Sequence, residues 1–145
     1  MLRQFMVGGA ASAFNIAIHA LVMMIVVRVA QVKGAKSNSH SSLLLIAVMI
    51  PAVSVLMVTH AIEVIVWSFV YLMFDAAPPD ADLVYFAFVN YTTLGYGDVL
   101  PLERWRLLGP ITAMNGILLF GWSTAVIFEV LRRTLARNLE ISPTD

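Results

Sequence analysis

The sequence contains no cysteine among its 145 residues, which excludes disulfides and thiolate metal sites. Charge is scarce as well: 12 % of residues are Asp, Glu, Lys or Arg, nine of each sign. A chain so poor in charge and 60 % apolar is too hydrophobic for a soluble domain of this size and belongs in a bilayer. The balanced net charge says nothing about partners, because in a membrane protein the side on which each charge lies is what matters. No nucleophile with a base, no carboxylate pair and no phosphate loop argues for an enzyme. No basic-aromatic array argues for a nucleic-acid partner. The length leaves room for one small membrane domain, with no separate soluble ligand-binding or catalytic domain expected.

The apolar residues fall into blocks. Phe5 to Val27 is about the ~20 residues needed to cross ~30 Å of hydrocarbon and reads as a spanning helix. A cleaved signal peptide and a helix lying on the inner leaflet are the alternatives, but the run is long for a signal core and Arg28 stands where a small residue should precede cleavage. Arg28 to Ser42 is polar, basic and glycine- and serine-containing, and reads as a loop. Leu43 to Phe74 is longer than a membrane is thick, so Pro51 is expected to kink it or to start its spanning part, with Leu43 to Ile50 near the interface. Asp75 to Asp82 is a short acidic, proline-containing break. Leu83 to Tyr91 is aromatic and far too short to span. Leu107 to Leu131 is the last apolar run, and the "RRTLARN" that follows reads as a polar tail.

Between the short run and the last one lies "YTTLGYGDVLP", Tyr91 to Pro101. Irregular backbone at membrane depth is tolerated only where it is buried in protein or lines a water-filled path. Gly95 and Gly97, at alternate positions, allow torsions that a β-carbon resists, so that successive carbonyls can point one way. A column of such oxygens, repeated around an axis, can replace the hydration shell of a monovalent cation.

Thr93-Leu94-Gly95-Tyr96-Gly97-Asp98 resembles the selectivity filter of the potassium channel family, with Leu94 where valine is commonest. The resemblance runs from about Pro51 to Arg133. More narrowly, the chain resembles small bacterial proteins of the two-helix ion-channel superfamily that carry an extra N-terminal helix. It implies an all-α membrane protein: a tetrameric pore of outer helix, pore helix, selectivity filter and inner helix, plus one additional N-terminal transmembrane helix. The division expected is an N-terminal helix and basic cytoplasmic loop over 1–42, the pore domain over 43–137 and a short tail over 138–145.

The resemblance also implies roles. Backbone carbonyls of Thr93, Leu94, Gly95 and Tyr96, with the Thr93 hydroxyl at the inner end and Gly97 completing the strand, would hold potassium ions, which are the permeating ligand; no cofactor is implied. Thr92, Val89, Tyr85 and Phe86 would support the filter, with Tyr96 pointing outward toward Tyr85 and Phe86, and Asp98 would sit at the outer mouth. Val89 occupies a position where some members have a glutamate able to pair with that aspartate. Gly116 falls where the family places its gating hinge, and Gly121 where it often has a second small residue. Because one chain cannot close the ring, a homotetramer surrounded by lipid is the expected assembly, with no nucleic acid and no small-molecule substrate other than K+.

Charge placement gives an orientation. With Asp98 outside, the basic residues Arg28, Lys33 and Lys36 and the basic tail Arg132, Arg133 and Arg137 lie in the cytoplasm, in agreement with the positive-inside rule. The outer side then carries Asp75, Asp80, Asp82, Asp98 and Glu103 against Arg104 and Arg106. The expected location is the plasma (inner) membrane, multi-pass, with the C-terminus cytoplasmic and the N-terminus outside.

Polar residues inside the apolar runs carry two readings each. His60 and Glu63 share a face of the outer helix at mid-membrane depth. They read as a structural hydrogen-bonded pair, with Asn90, Ser12 or Asn15 as further partners of Glu63, as a pH-sensitive element, or as a metal site with His19. Gly8, Ser12, Asn15 and His19 form a stripe expected to pack on the pore unit. Asn115 either faces the central cavity or bonds a neighbouring helix. Glu129 has ion-pair spacing to Arg132 and Arg133. Trp67, Tyr71 and Trp105 read as interface anchors or packing residues. No helix carries arginine at every third position, so a voltage sensor of the usual kind is not expected, nor is a nucleotide- or calcium-binding gate after Arg137. The function implied is passive, potassium-selective conduction. The alternatives are a non-conducting pore-like scaffold or accessory subunit and a weakly selective monovalent cation channel.

Overall fold

The computed structural model describes residues 1–36 and 42–140. Among them are α1 (Leu2–Lys36), α2 (Ser42–Met73), α3 (Leu83–Tyr91), a single 3-10 turn (Glu103–Trp105) and α4 (Leu108–Glu140), and no strand. Three of these helices are long and apolar enough to cross a membrane, with candidate spans Leu2–Val29, Leu45–Met73 and Glu103–Ala136. The fourth, α3, has only 9 residues, about 14 Å at ~1.5 Å per residue. At that length it cannot cross ~30 Å of hydrocarbon.

Three boundaries differ from the sequence reading. Residues 28–36, expected as loop, are the last turns of α1: Arg, Ala, Gln and Lys are good helix formers and one glycine does not outweigh them. The remaining loop positions 37–41 lie outside the described residues. Pro51 does not start the spanning part: α2 begins at Ser42 and passes through it, with the candidate span starting at Leu45, as spanning helices tolerate when neighbouring groups compensate the missing N–H. The segment expected as a polar tail continues α4 to Glu140, again on Arg, Leu and Ala, and 141–145 fall outside the described residues.

α1 packs against both α2 and α4 of its own chain, and α3 is held between α2 and α4. The buried side chains sort into layers along the helix axes. One apolar cluster joins Ala11, Val64, Trp67, Tyr71, Phe86, Tyr91, Trp105, Leu108 and Ile111. A second, at the other end of the bundle, joins Met23, Val26, Val48, Ala52, Leu56 and Val130. In sequence the two are separated on α1 by Asn15 and His19, on α2 by Thr59 and Glu63, and on α4 by Thr112, Asn115 and Ser123, all of them buried. A polar belt therefore crosses the bundle between two apolar cores. The α1 stripe faces the pore unit as expected: Gly8 lies against Ile111, and Asn15 and His19 are fully buried.

Candidate functional site

The site is assembled around α3. Asp82 starts this helix, its Oδ1 accepting from the backbone N–H groups of Val84 at 3.0 Å and Tyr85 at 3.1 Å, which satisfies donors that a short helix would otherwise leave open. Phe86, Ala87, Val89 and Tyr91 form the buried face. Phe86 stacks on Tyr71 of α2 with ring centroids 4.7 Å apart. Tyr71 in turn shares a hydrogen bond of 2.7 Å with Thr112 of α4.

At the end of α3 the chain turns back along its own carbonyls. Thr92 N–H donates to Phe88 O at 2.9 Å and Thr93 N–H to Asn90 O at 3.0 Å. Val89 O accepts from both Leu94 N–H at 3.0 Å and Gly95 N–H at 3.3 Å. Val89 thus anchors the following segment through its backbone carbonyl. Beyond this anchor the torsions alternate in hand: φ is positive at Thr93 (62°), Gly95 (58°) and Gly97 (77°), and negative at Leu94 and Tyr96 between them. An extended segment with every second residue left-handed turns its peptide planes so that carbonyls gather on one side rather than alternating. Glycine accepts that hand freely. Threonine does not, and the left-handed torsion at Thr93 is a feature that the sequence did not announce.

Every residue from Thr92 to Asp98 is exposed on the isolated chain. At the open end, the Tyr85 hydroxyl donates to Asp98 Oδ2 at 2.7 Å, and Asp98 Oδ1 accepts from Val99 N–H at 3.1 Å. The Tyr85 bond holds the Asp98 carboxyl below the usual carboxylate range, and the same bond pushes the Tyr85 phenol up. The return strand is tied down by Leu102 N–H to Ala76 O at 2.9 Å, by Leu107 N–H to Gln4 Oε1 at 2.8 Å and by Arg104 to Asp75 O at 3.2 Å. Arg3 lies over the Trp105 ring at 4.8 Å.

Tyr96 does not rest on Phe86 and Tyr85 of its own chain: it is 67 % exposed, Phe86 is turned inward onto Tyr71, and the Tyr85 hydroxyl is taken by Asp98. The face of α3 that carries Phe86 is needed to bury the helix against α2 and α4.

Gly116 of α4 meets the end of α3 at Tyr91. A β-carbon there would stand 2.0 Å from the Tyr91 carbonyl oxygen, so glycine is required by close approach. At Gly121 a β-carbon would meet nothing within 4 Å. α4 is helical through both.

The intramembrane polar residues fall in the belt. Asn115 faces its own bundle, its Oδ1 accepting from Trp67 Nε1 at 3.0 Å and Asn15 Nδ2 at 3.3 Å; of its two readings, bonding to a neighbouring helix is the one realised. Asn15 also donates to the Glu63 backbone carbonyl at 3.2 Å. The Glu63 carboxylate is paired with His60 as expected, but its other partners are His19 and Tyr91. Neither Asn15 nor Asn90 reaches it: Asn90 donates to Phe86 O within α3 at 2.9 Å. Tyr91 and Ser123 were not singled out by sequence. For Ser123 a signal exists, since Thr112, Asn115, Leu119 and Ser123 recur at helical spacing and all are buried. Tyr91 offers none, being one aromatic among several in α3. Trp67, Tyr71 and Trp105 are all buried and pack inside the chain rather than anchoring it at an interface. Glu129 pairs with both Arg132, at 2.9 Å, and Arg133.

Neither the curated proteins nor the solved structures offer a match to this chain. A family model described as "Ion channel" matches residues 55–133, which takes in the α2 polar residues, all of α3, the alternating loop and α4 as far as its basic end. The matched stretch is more than half of the sequence, and it holds most of both spanning helices that flank α3 and the alternating loop. The chain is a membrane protein and belongs to this ion-channel family.

Proposed function

We propose that the protein is a potassium-selective channel through which K+ passes down its electrochemical gradient, dehydrated on rings of backbone carbonyls. The observation that carries this reading is the alternation of positive φ at Thr93, Gly95 and Gly97 in a segment hung by its N–H groups from the end of α3. Carbonyls of Thr93, Leu94, Gly95 and Tyr96, and the Thr93 hydroxyl, are the proposed K+ ligands, with Gly97 required for the turn above them. Ions on adjacent sites repel one another, which lets tight coordination coexist with fast exit.

A single chain supplies one side of such a path. The uncovered strand from Thr92 to Asp98 and the 67 % exposed Tyr96 favour a cyclic homotetramer in which Tyr96 is covered by a neighbouring copy. The proposed orientation puts Asp98 and its acidic surroundings outside and Arg28, Arg132 and Arg133 in the cytoplasm. This sets the N-terminus outside and the C-terminus inside a plasma (inner) membrane. Acidic groups at the outer mouth raise the local cation concentration. With Gly116 clasped against Tyr91, bending of α4 is assigned to Gly121.

The test is flux from liposomes loaded with potassium and diluted into sodium, with a proton ionophore reporting the potential. Flux with K+, little with Na+ in its place, and loss in Gly97→Ala is the expected result. Equal flux of both ions replaces the proposal with a weakly selective cation channel. Absence of flux from a tetrameric preparation over a range of pH favours a non-conducting scaffold.

A further inference from the structure

Three groups converge behind the filter. His19 of α1 and His60 and Glu63 of α2 each bring one ligand atom to within 4.8 Å of the others. The His19 and Glu63 side chains are fully buried, and that of His60 is 14 % exposed. His19 Nδ1 stands 2.8 Å from Glu63 Oε1, and His60 Nδ1 stands 3.0 Å from Oε2. The Tyr91 hydroxyl bonds the same carboxylate and lies 2.9 Å from His60 Nδ1. On their far sides both rings meet a single oxygen: Ser123 Oγ is 2.9 Å from His60 Nε2 and 3.3 Å from His19 Nε2.

Counting hydrogens separates two assignments: with hydrogen on His60 Nε2 and its Nδ1 accepting from Tyr91, Ser123 serves both rings, whereas donation from both Nδ1 atoms does not close. A neutral imidazole carries one N–H and a serine one O–H. If both rings donate from Nδ1 to Glu63, both Nε2 atoms are acceptors facing the one hydrogen of Ser123, and one buried nitrogen goes without a partner. A cation placed among the Nδ1 atoms and the carboxylate gives a second closed arrangement. Both Nδ1 lone pairs then bind the cation, both Nε2 atoms carry hydrogen, and Ser123 Oγ accepts from each with its two lone pairs. An outer hydrogen bond from the second ring nitrogen is what holds metal-bound histidines in place.

We propose that His19, His60 and Glu63 form a binding site for a divalent transition cation of the zinc kind, with the Tyr91 hydroxyl oxygen as a fourth ligand. Two imidazole nitrogens and a carboxylate suit zinc and its neighbours, whereas calcium and magnesium favour oxygen alone. Aromatic rings close the surroundings: Trp122 lies 5.4 Å from the His19 ring and Phe120 4.5 Å from that of His60. The site is distinct from the K+ path and does not depend on its selectivity. An ion there would tie α1 to the outer helix and, through Tyr91, to the end of the pore helix on which the filter hangs.

The test uses the full chain purified in detergent, with His40→Gln removing the third histidine of the sequence. The protein is stripped with a chelator, reloaded with Zn2+ alone, desalted and assayed for bound metal. About one ion per chain is expected for a closed site, lost in His19→Gln and in His60→Gln, with affinity roughly 10-fold weaker in Ser123→Ala. Because these variants can misassemble, Co2+ loaded onto the otherwise unaltered protein gives a second readout. Intense visible bands of four-coordinate Co2+ are expected. Only the weak bands of the six-coordinate aqua ion, or zinc retention unchanged when His19 and His60 are replaced, overturns the proposal. So does failure of the correctly assembled protein to retain zinc, which leaves the network closed by hydrogen bonds alone.

Discussion

A threonine with φ at 62° occupies a region that side-chain-bearing residues avoid, at a cost on the order of 1–3 kcal/mol. At Thr93 that strain is offset by Thr93 N–H to Asn90 O and Leu94 N–H to Val89 O, both at 3.0 Å, which fix the peptide on either side. Close packing imposes a different constraint at Gly116. Gly116→Ala drives a methyl onto the Tyr91 carbonyl oxygen, 2.0 Å away, and is expected to destabilise the fold by about 1–3 kcal/mol, the usual range for overpacking. Gly121→Ala meets open space within the chain and is expected to hold or raise stability by up to ~1 kcal/mol through helix propensity. Thermal unfolding of the two variants in detergent checks the contrast; equal losses would refute it. Beside the exposed segment, Tyr85→Phe removes the donor that lowers Asp98, so the carboxyl is expected to rise toward its ordinary value of ~3.9. Since folding depresses this group, its stabilising contribution is present above that ordinary value and fades as pH falls below about 4. A titration followed by NMR on the labelled side chain should show the Asp98 midpoint moving up in the variant.

At the scale of elements, α1 is joined to the pore unit by polar bonds as well as by packing. Asn15 donates to Asn115 and to the Glu63 carbonyl. Asn15→Leu should therefore weaken α1 docking by about 0.6–1.7 kcal/mol, the span measured for hydrogen bonds between membrane helices. Faster hydrogen exchange along α1, with α3 and α4 unchanged, is the expected signature; uniform change in all helices would mean that α1 is not a separable element. For α3, Asp82→Ala removes the cap that accepts from Val84 and Tyr85. The expected cost is ~1 kcal/mol, read as faster exchange in the first turn of α3. The number and kind of helices were legible because apolar runs of spanning length and a glycine-broken segment leave few arrangements in a bilayer. Their ends were less legible: residues 28–36 and the start of α2 are composed of helix formers and flanked by weak punctuation. The facing of α3 was not legible at all, since "LVYFAFVNY" is apolar on every side, and only the packing of Phe86 on Tyr71 decides which side turns in.

For the whole molecule, the proposed channel requires four copies around the exposed segment from Thr92 to Asp98, to be counted by native mass spectrometry in detergent; a monomer or dimer that still conducts K+ selectively would overturn it. The belt shows where sequence reading stops. His60 and Glu63 declare themselves by spacing, but Tyr91 and Ser123 join them from segments 28 and 60 positions beyond Glu63, and no local pattern encodes that meeting. Synthesis order gives this belt a consequence for biogenesis. α1 precedes α2 in the chain, so Glu63 reaches the bilayer after His19 and Asn15, and the α1–α2 hairpin can seal these polar groups against each other before α3 and α4 emerge. α3 and α4, which follow in the chain, then meet a polar face already laid out by α1 and α2, one that Asn115 joins through Asn15.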